Sequence, residues 1–449
     1  MRARTAFVLI TSIFILGLLL RVYPLEAYHG WDESTYLQHA EHIITGKDNY
    51  NELAFRPPLL PLIFAAGFLL WHSAFMASIL TALLSASIII ALYLLGRRIH
   101  SDEAGLLAAL LVAVHPAFVE FGHLLLTDAI VASFLAFALY YAHDHRWQLI
   151  LLCGACTGLA ALTKFTALAT VPLLALYVFW REHEMTGKWR ILFPVAFSAG
   201  FLVTFGPYLL WAQQRYGNFI IVFQKAQAIV NNVSGGPFYY AHPFVFTIPV
   251  LLGVVLYFWQ WRRVRDTPFF LLTLAWLISI IGYLNTFPAK DYRYALAAIV
   301  PLLMIAGIGY GHIARKYHKR EWLRFILPAI IILLSIQSFA TFLHAPVEHW
   351  KIPAHEMAER ITALNNSSMI IYATSDYPIY GYYTENQVIV VDGPNFLNAY
   401  PRIMPRDGYL LVYKGRDRDP TEEWAQQQKQ LLRITENEAI ILYEYKRKR

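Results

Sequence analysis

From Ala6 to about Phe342 the chain alternates between apolar blocks of sixteen to twenty-four residues and short clusters rich in Arg, Lys and His. Blocks of that length exceed what a buried strand or a core helix needs and match membrane spans. The pattern predicts eleven crossings, at about 5–22, 74–95, 103–117, 127–142, 147–163, 166–181, 191–211, 243–260, 268–285, 294–312 and 323–343. Segment 57–72, PPLLPLIFAAGFLLWH, is equally apolar but carries Pro57, Pro58 and Pro61. It is expected to be interfacial or re-entrant, its irregular end supported by protein. The first block follows Arg2 and Arg4 and is not followed by a convincing small-residue cleavage site, so it reads as a retained span.

Beyond residue 343 the period changes. MIIYA, QVIVVD, YLLVYK and AIILYEY are short runs bounded by polar or turn residues and predict strands. AHEMAERITAL and TEEWAQQQKQLLRI read as amphipathic helices. The expected organisation is a helical transmembrane domain over 1–343, with a long first external loop at 23–57, and a small soluble α/β domain over 344–449.

Composition agrees with the blocks. The 449 residues are 57% hydrophobic and only 15% charged, with a mean hydropathy of +0.43, against about 25% charged in soluble proteins. A net charge of +7 raises nucleic acid as a partner, but most basic residues sit in the turns between spans, which is a topology signal. With the N-terminus in the cytoplasm, the inner turns hold sixteen Lys and Arg residues and the outer segments before residue 344 hold eight. An odd number of crossings then leaves the C-terminal domain outside the plasma membrane. Cys153 and Cys156 lie inside an apolar block, LLCGACTGLAAL, as small helix-packing residues rather than a redox pair.

A carboxylate held at the outer mouth of a helical bundle is costly unless solvated or paired, so position selects the functional candidates. Four outer clusters result. Asp32 and Glu33 open the stretch DESTYLQHAEHIITG in the long first loop, whose other reading is a solvated surface helix with Tyr36, Ala40 and Ile43/Ile44 on its apolar stripe. Its His39, Glu41 and His42 read as surface residues, with metal binding as the minor alternative. Arg56 precedes the paired prolines and either snorkels to headgroups or clamps a phosphate. Asp128 stands where a span begins, after Thr127, and either caps that helix or contributes to a site; Glu120 and His123 upstream share a face if their linker is helical. Lys290, Asp291, Arg293 and Tyr294 crowd a short outer turn, which reads as an anion site or as interfacial anchoring. Lys164, alone at another outer turn, either complements one of the carboxylates or snorkels. Two acids with Arg56, Lys290 and Arg293 suit chemistry on a phosphorylated substrate embedded in the membrane.

GWDESTYLQHA after the first span, RPPLLPL at the next apolar segment, HP before the stretch leading to LTDAIVASF, and KDYRYALAAIVP late in the bundle together resemble the membrane-embedded GT-C glycosyltransferases. The likeness is to the protein O-mannosyltransferase and lipid A aminoarabinose transferase type, over about residues 5–343. It implies a polytopic α-helical GT-C fold and an inverting transfer from a polyprenyl-phosphate-linked sugar to a protein, lipid or glycan acceptor at the outer membrane face. It also implies that Asp32 carries the key carboxylate with Glu33 beside it, and that Asp128 helps build the site. Arg56, Lys290, Arg293 and Tyr294 would meet the lipid phosphate. Position along the chain, not the resemblance, adds Lys164, Glu120 and His123 as candidate accessory residues. Related classes use a divalent metal, so metal dependence stays open. Two rival classes are a transporter of a lipid-linked or anionic substrate, which would place its charges near the bilayer midplane, and a lipid or peptide scaffold, which would tolerate loss of Asp32 or Arg56.

Overall fold

The computed structural model describes residues 3–22, 29–47, 56–181, 189–229, 239–242, 245–264, 266–286, 290–317, 323–343, 352–391, 403–415 and 420–447. The chain divides into two compact units, one of residues 1–24 and 48–344, the other of residues 25–47 and 345–449. Of the first loop at 23–57, residues 25–47 thus group with the C-terminal residues, and the rest with the helices.

The first unit is helical. Its helices are α1 (Ala3–Val22), α3 (Leu59–Phe68), α4 (Ala74–Ile99), α5 (Asp102–Ala113), α6 (Pro116–His123), α7 (Asp128–Ala142), α8 (Trp147–Thr163) and α9 (Val171–Arg181), then α10 (Trp189–Tyr216), α11 (Ile221–Ile229), α12 (Ile248–Trp259), α13 (Trp261–Val264), α14 (Thr267–Asn285), α15 (Leu296–Lys316) and α16 (Leu323–Leu343). The second unit takes α2 (Trp31–Thr45). Each predicted span falls largely on helix. Among the described residues, five helical stretches, at 3–22, 74–99, 191–216, 267–285 and 292–316, are long and apolar enough to cross a membrane, and α5 with α6 makes a sixth if the bent pair is one span. Segment 57–72 contains only the ten-residue α3, too short to cross alone.

Large side chains such as Phe7, Leu19, Val203 and Trp259 are more than 60% exposed, a surface suited to lipid rather than water. Inside, α15 is buried from Leu296 to Gly311 and packs against α5, α7 and α12. Helix α8 lies close along α10, because Gly154 and Gly158 on one and Gly200 on the other leave no room for a Cβ against the facing backbone or Thr204. This small-xxx-small contact lets two backbones approach in a setting where lipid removes the hydrophobic drive to associate. Cys153 and Cys156 are free thiols in that helix, as expected.

The kink between α5 and α6, 58°, has a local cause. Pro116 has no N–H and disfavours helical geometry at His115, which is extended (φ −72°, ψ 122°). Val112 O therefore loses the donor that residue 116 would normally supply. Arg21, fully buried at the end of α1, replaces it: Nη2 donates to Val112 O (3.0 Å) and Nη1 to Ala113 O (3.3 Å) and Gly17 O (2.8 Å). Ser85 Oγ donates to Gly122 O at the far end of α6 (2.9 Å).

The second unit is a five-stranded mixed sheet of β1 (Ile370–Ala373), β2 (Val388–Val390), β3 (Gly408–Tyr413), β4 (Leu431–Glu436) and β5 (Ile440–Tyr445), in the order β2-β1-β3-β5-β4. β1 runs parallel to β2 and β3; β5 is antiparallel to β3 and β4. Alternate residues of β1, β3 and β5 bury on opposite faces. Ile371, Leu411 and Leu442 pack with α17 (Pro353–Ala363) and α18 (Tyr377–Tyr383). Tyr372, Leu410 and Ile441 pack with Ala425 of α19 (Glu422–Gln427). Both faces are covered, which explains why these strands read as continuous apolar runs.

All four predicted strands are present. The predicted helix TEEWAQQQKQLLRI is corrected: helix stops at Gln427, and LLRI opens β4. β4 is an edge strand with Leu432 61% exposed and a register shift between Arg433 and Thr435. Its pairing with β5 therefore overrides a pattern that is ambiguous locally.

Helix α2 packs on α18. Tyr36, Leu37 and Ala40 are buried, whereas Ile43 is exposed, so the apolar stripe is shorter than predicted. A Cβ on Gly381 would meet the amide end of Gln38, which would have to turn aside. Tyr383 Oη accepts from His29 N–H (2.8 Å), and His355 Nε2 donates to His29 O (2.9 Å) while its Nδ1 accepts from Ile352 N–H (3.2 Å). Those partners require a neutral His355 ring. Burial pushes the pKa of His29 down to about 4. A depressed histidine contributes stability that is complete above its unfolded pKa, near 6.5, and lost as pH falls towards 4. Amide exchange of α2 in the full-length protein should accelerate across this window, reflecting up to about 3 kcal/mol. His29→Asn should flatten the response, and an unchanged slope in that variant would remove His29 as its source.

Candidate functional site

In the first unit, a group of polar residues gathers where several helices end. Asp128 opens α7, where a carboxylate is favoured by the helix dipole; Thr127 precedes it without making a side-chain cap. α8 ends at Thr163, and Lys164 turns extended (φ −158°, ψ 131°). Its Nζ donates to Asp128 Oδ1 at 2.6 Å, joining residues 36 positions apart. Asp128 is 4% exposed, and a carboxylate buried to that degree needs a partner. Lys164 is therefore the complement of a carboxylate, one of the two readings its sequence left open. Burial acts to lower the pKa of Lys164, but the Asp128 carboxylate and the Tyr294 phenol outweigh it, and the amine is held above its ordinary value.

A 3-10 turn, Tyr292–Ala295, leads the chain from α14 into α15. Asp291 Oδ1 accepts from Arg293 N–H (3.0 Å), and its Oδ2 lies 3.0 Å from Arg293 Nε, so one carboxylate fixes both backbone and side chain. Arg293 Nε is also 4.0 Å from Asp128 Oδ2. The Tyr294 ring lies beside both cations, 4.1 Å from Lys164 Nζ and 5.4 Å from the Arg293 guanidinium. Lys290 is buried; its amine donates to Asn285 O (3.2 Å) and Oδ1 (3.3 Å) and lies 5.7 Å from the Tyr240 ring. Lys164 pairs with Asp128 and Arg293 with Asp291, and Lys290 adds a third cation three residues before Arg293. Such a cluster is ordered in advance to receive an anion.

The other sequence candidates are placed as follows. Glu120 and His123 do share a helical face on α6, with Glu120 Oε2 and His123 Nδ1 4.0 Å apart, and α6 packs against the Tyr292–Ala295 turn. Arg56 stands half-buried just before α3, which packs on α4 and α8. Asp32 and Glu33 lie in the first turn of α2, in the second unit. Glu33 is buried, and its Oε2 accepts from Gly30 N–H (2.8 Å), half of a capping box, a structural task its sequence position did not reveal. Asp32 is the more exposed of the two. His39 is buried among the α2 contacts, and among the described residues no three His, Cys, Asp or Glu side chains are grouped to hold a metal.

Two features escaped the sequence reading. Tyr292 stacks between Tyr239 (4.6 Å, 11°) and His242 (4.2 Å, 29°), forming an aromatic platform next in the chain to Arg293. The aromatic run YYAHP was its only signal. The other is Arg21, which looks in sequence like an ordinary positive flank of a span.

The sequence pattern of the dolichyl-phosphate-mannose-protein mannosyltransferase family matches residues 55–211, about a third of the chain. Among curated proteins compared by sequence, none matches. By structure, the chain is similar to ArnT from Cupriavidus metallidurans bound to undecaprenyl phosphate, with a TM-score of 0.77 and 16% identity over 99% of this chain and 98% of that one. Its fold is that of the GT-C glycosyltransferases. The apo form of the same ArnT gives a TM-score of 0.76 at 17% identity, covering 98% of each chain. The fold is also similar to that of the apo oligosaccharyltransferase of Archaeoglobus fulgidus, with a TM-score of 0.58 and 11% identity over 92% of this chain and 70% of that one. The resemblance drawn from four short motifs is thus borne out at the level of fold, and the likeness to ArnT extends over both units.

Proposed function

We propose that this protein is an inverting glycosyltransferase that moves a sugar from a polyprenyl-phosphate-linked donor to a protein, lipid or glycan acceptor at the outer face of the plasma membrane. The supporting observation is the cation cluster of Lys164, Arg293 and Lys290, anchored by Asp128 and Asp291 at one end of apolar helices. It occurs in a fold shared with a protein solved with undecaprenyl phosphate. In this reading the helices make eleven crossings, the N-terminus is cytoplasmic, and residues 344–449 are extracytoplasmic.

The reaction is a single displacement. An acceptor oxygen or nitrogen attacks the anomeric carbon, the bond from that carbon to the phosphate oxygen breaks, and the electron pair leaves on the lipid phosphate. Arg293, Lys290 and Arg56 stabilise that departing charge. Phosphate is already a competent leaving group, so no strong acid is required. Asp32 takes the acceptor's proton, a role resting on the first-loop motif. Asp128, committed to Lys164, holds the cations in place rather than acting as a base. Glu33 supports α2 beside Asp32.

Reconstitution in liposomes with a panel of polyprenyl-phosphate sugars tests this reading. Asp32→Asn should still bind donor while transfer falls at least about tenfold. Near-normal transfer by this variant would overturn the role of Asp32, and no transfer by the wild type from any donor of the panel would overturn the reading itself.

A further inference from the structure

At the other end of α15, about 30 Å along the helix from Arg293, lies a second basic feature. α12 stops at Trp259, the chain turns at Gln260, and the single-turn α13 follows before Asp266 caps α14 through Phe269 N–H (3.0 Å). Between this turn and the last turn of α15 is a cavity of about 500 Å3, lined by Phe258, Gln260, Trp261, Arg262, Arg263 and Lys316 among others, with no acidic residue in its wall. Among the described residues, none of these three cations is ion-paired; Lys316 Nζ lies 5.0 Å from the Tyr317 ring. A positive flank that only fixes topology needs charge at a membrane border and no cavity. Here the charge surrounds a cavity.

The mounting is firm. Gln260 is 9% exposed and its Nε2 donates to Leu256 O (2.8 Å) and Gly309 O (3.4 Å), tying the turn to α15. Its Oε1 is buried without a partner among the described residues. The Trp261 ring stacks on Phe258 (6.0 Å, 23°) and meets Phe270 edge-on (4.8 Å). α12 and α15 touch backbone to backbone where Gly309 faces Gly253. Beside the cations, Phe258 and Trp259 are 50% and 74% exposed, an apolar aromatic surface continuous with the cavity. A phosphate among three cations with acyl chains against adjacent aromatics describes one ligand class.

We propose that this cavity binds the phosphate headgroup of an anionic membrane lipid, in the leaflet opposite the Asp128–Lys164–Arg293 cluster. The site is independent of the transfer chemistry: Arg262, Arg263 and Lys316 supply the charge, and Phe258 and Trp259 receive the acyl chains.

Native mass spectrometry of the full-length protein, with equal amounts of phosphatidylglycerol and phosphatidylcholine in mixed micelles, tests it. The wild type should retain phosphatidylglycerol preferentially, and R262Q/R263Q/K316Q should lose that retention at least about tenfold. A control lacking three cations elsewhere, R4Q/R97Q/R215Q, should keep it. Thermal unfolding in phosphatidylcholine micelles confirms that the triple variant folds; if it does not, Lys316→Gln alone, at an exposed helix end, should weaken retention measurably at an unchanged Tm. Equal retention of the two lipids by the wild type, or equal loss in the control, would overturn the proposal. So would competition by soluble glycerol phosphate at the concentrations at which the lipid itself binds, because the cavity would then be reading free phosphate rather than a lipid.

Discussion

Arg293→Ala should cut sugar transfer by about two to three orders of magnitude, the range seen when one donor to developing negative charge is removed. The guanidinium is ion-paired at Nε with Asp291 and flanked by Asp128, so two carboxylates keep it in the cluster. Removing it also takes from Asp291 its ion-pair partner and removes one positive charge from the cluster. Arg293→Lys should recover part of the activity, since an ammonium restores the charge but not the planar fork of donors. Steady-state transfer with a polyprenyl-phosphate sugar, together with donor binding, separates the contributions. If both variants transfer at the wild-type rate, Arg293 is an interfacial anchor and the phosphate is held elsewhere.

Arg21→Met should strongly destabilise the first unit. The side chain is fully buried and supplies donors to three carbonyls, of which Val112 O cannot be served by Pro116. Each buried acceptor left unsatisfied costs about 1–3 kcal/mol, and two of them lie at the kink. Removing the buried charge offsets some of this, as a fully apolar replacement can. Here, however, the carbonyls remain, so the balance is a loss of about 2–5 kcal/mol. Arg21→Lys should be milder, keeping one strong donor group. Unfolding midpoints in detergent decide the matter: a midpoint for Arg21→Met within one degree of wild type would show that other groups satisfy the kink.

The contrast between these arginines shows what the sequence made legible. Arg293 sits in a turn with Lys290, Asp291 and two tyrosines, and local density singles it out. Arg21 ends an apolar run, where a positive flank is commonplace; its task depends on carbonyls some ninety residues away. The helices were readable because their apolar blocks are long, and β1, β2, β3 and β5 because they are short and sharply bounded. β4 was not, since its identity comes from pairing with β5. Asp128 and Lys164 were each visible as costly charges, but their union required the ends of α7 and α8 to meet. Asp32 and Glu33 were adjacent and looked alike, yet one hydrogen bond to Gly30 N–H gives Glu33 a separate structural task.

The grouping of residues 25–47 with residues 345–449 bears on how the chain is made. α2 leaves the ribosome early, while its partner α18 follows after roughly 300 further residues. At typical elongation rates the wait is roughly 15–60 s, during which Tyr36, Leu37 and Ala40 have no native surface to cover them. Any chain interrupted within the helical unit leaves α2 without the surface it packs on.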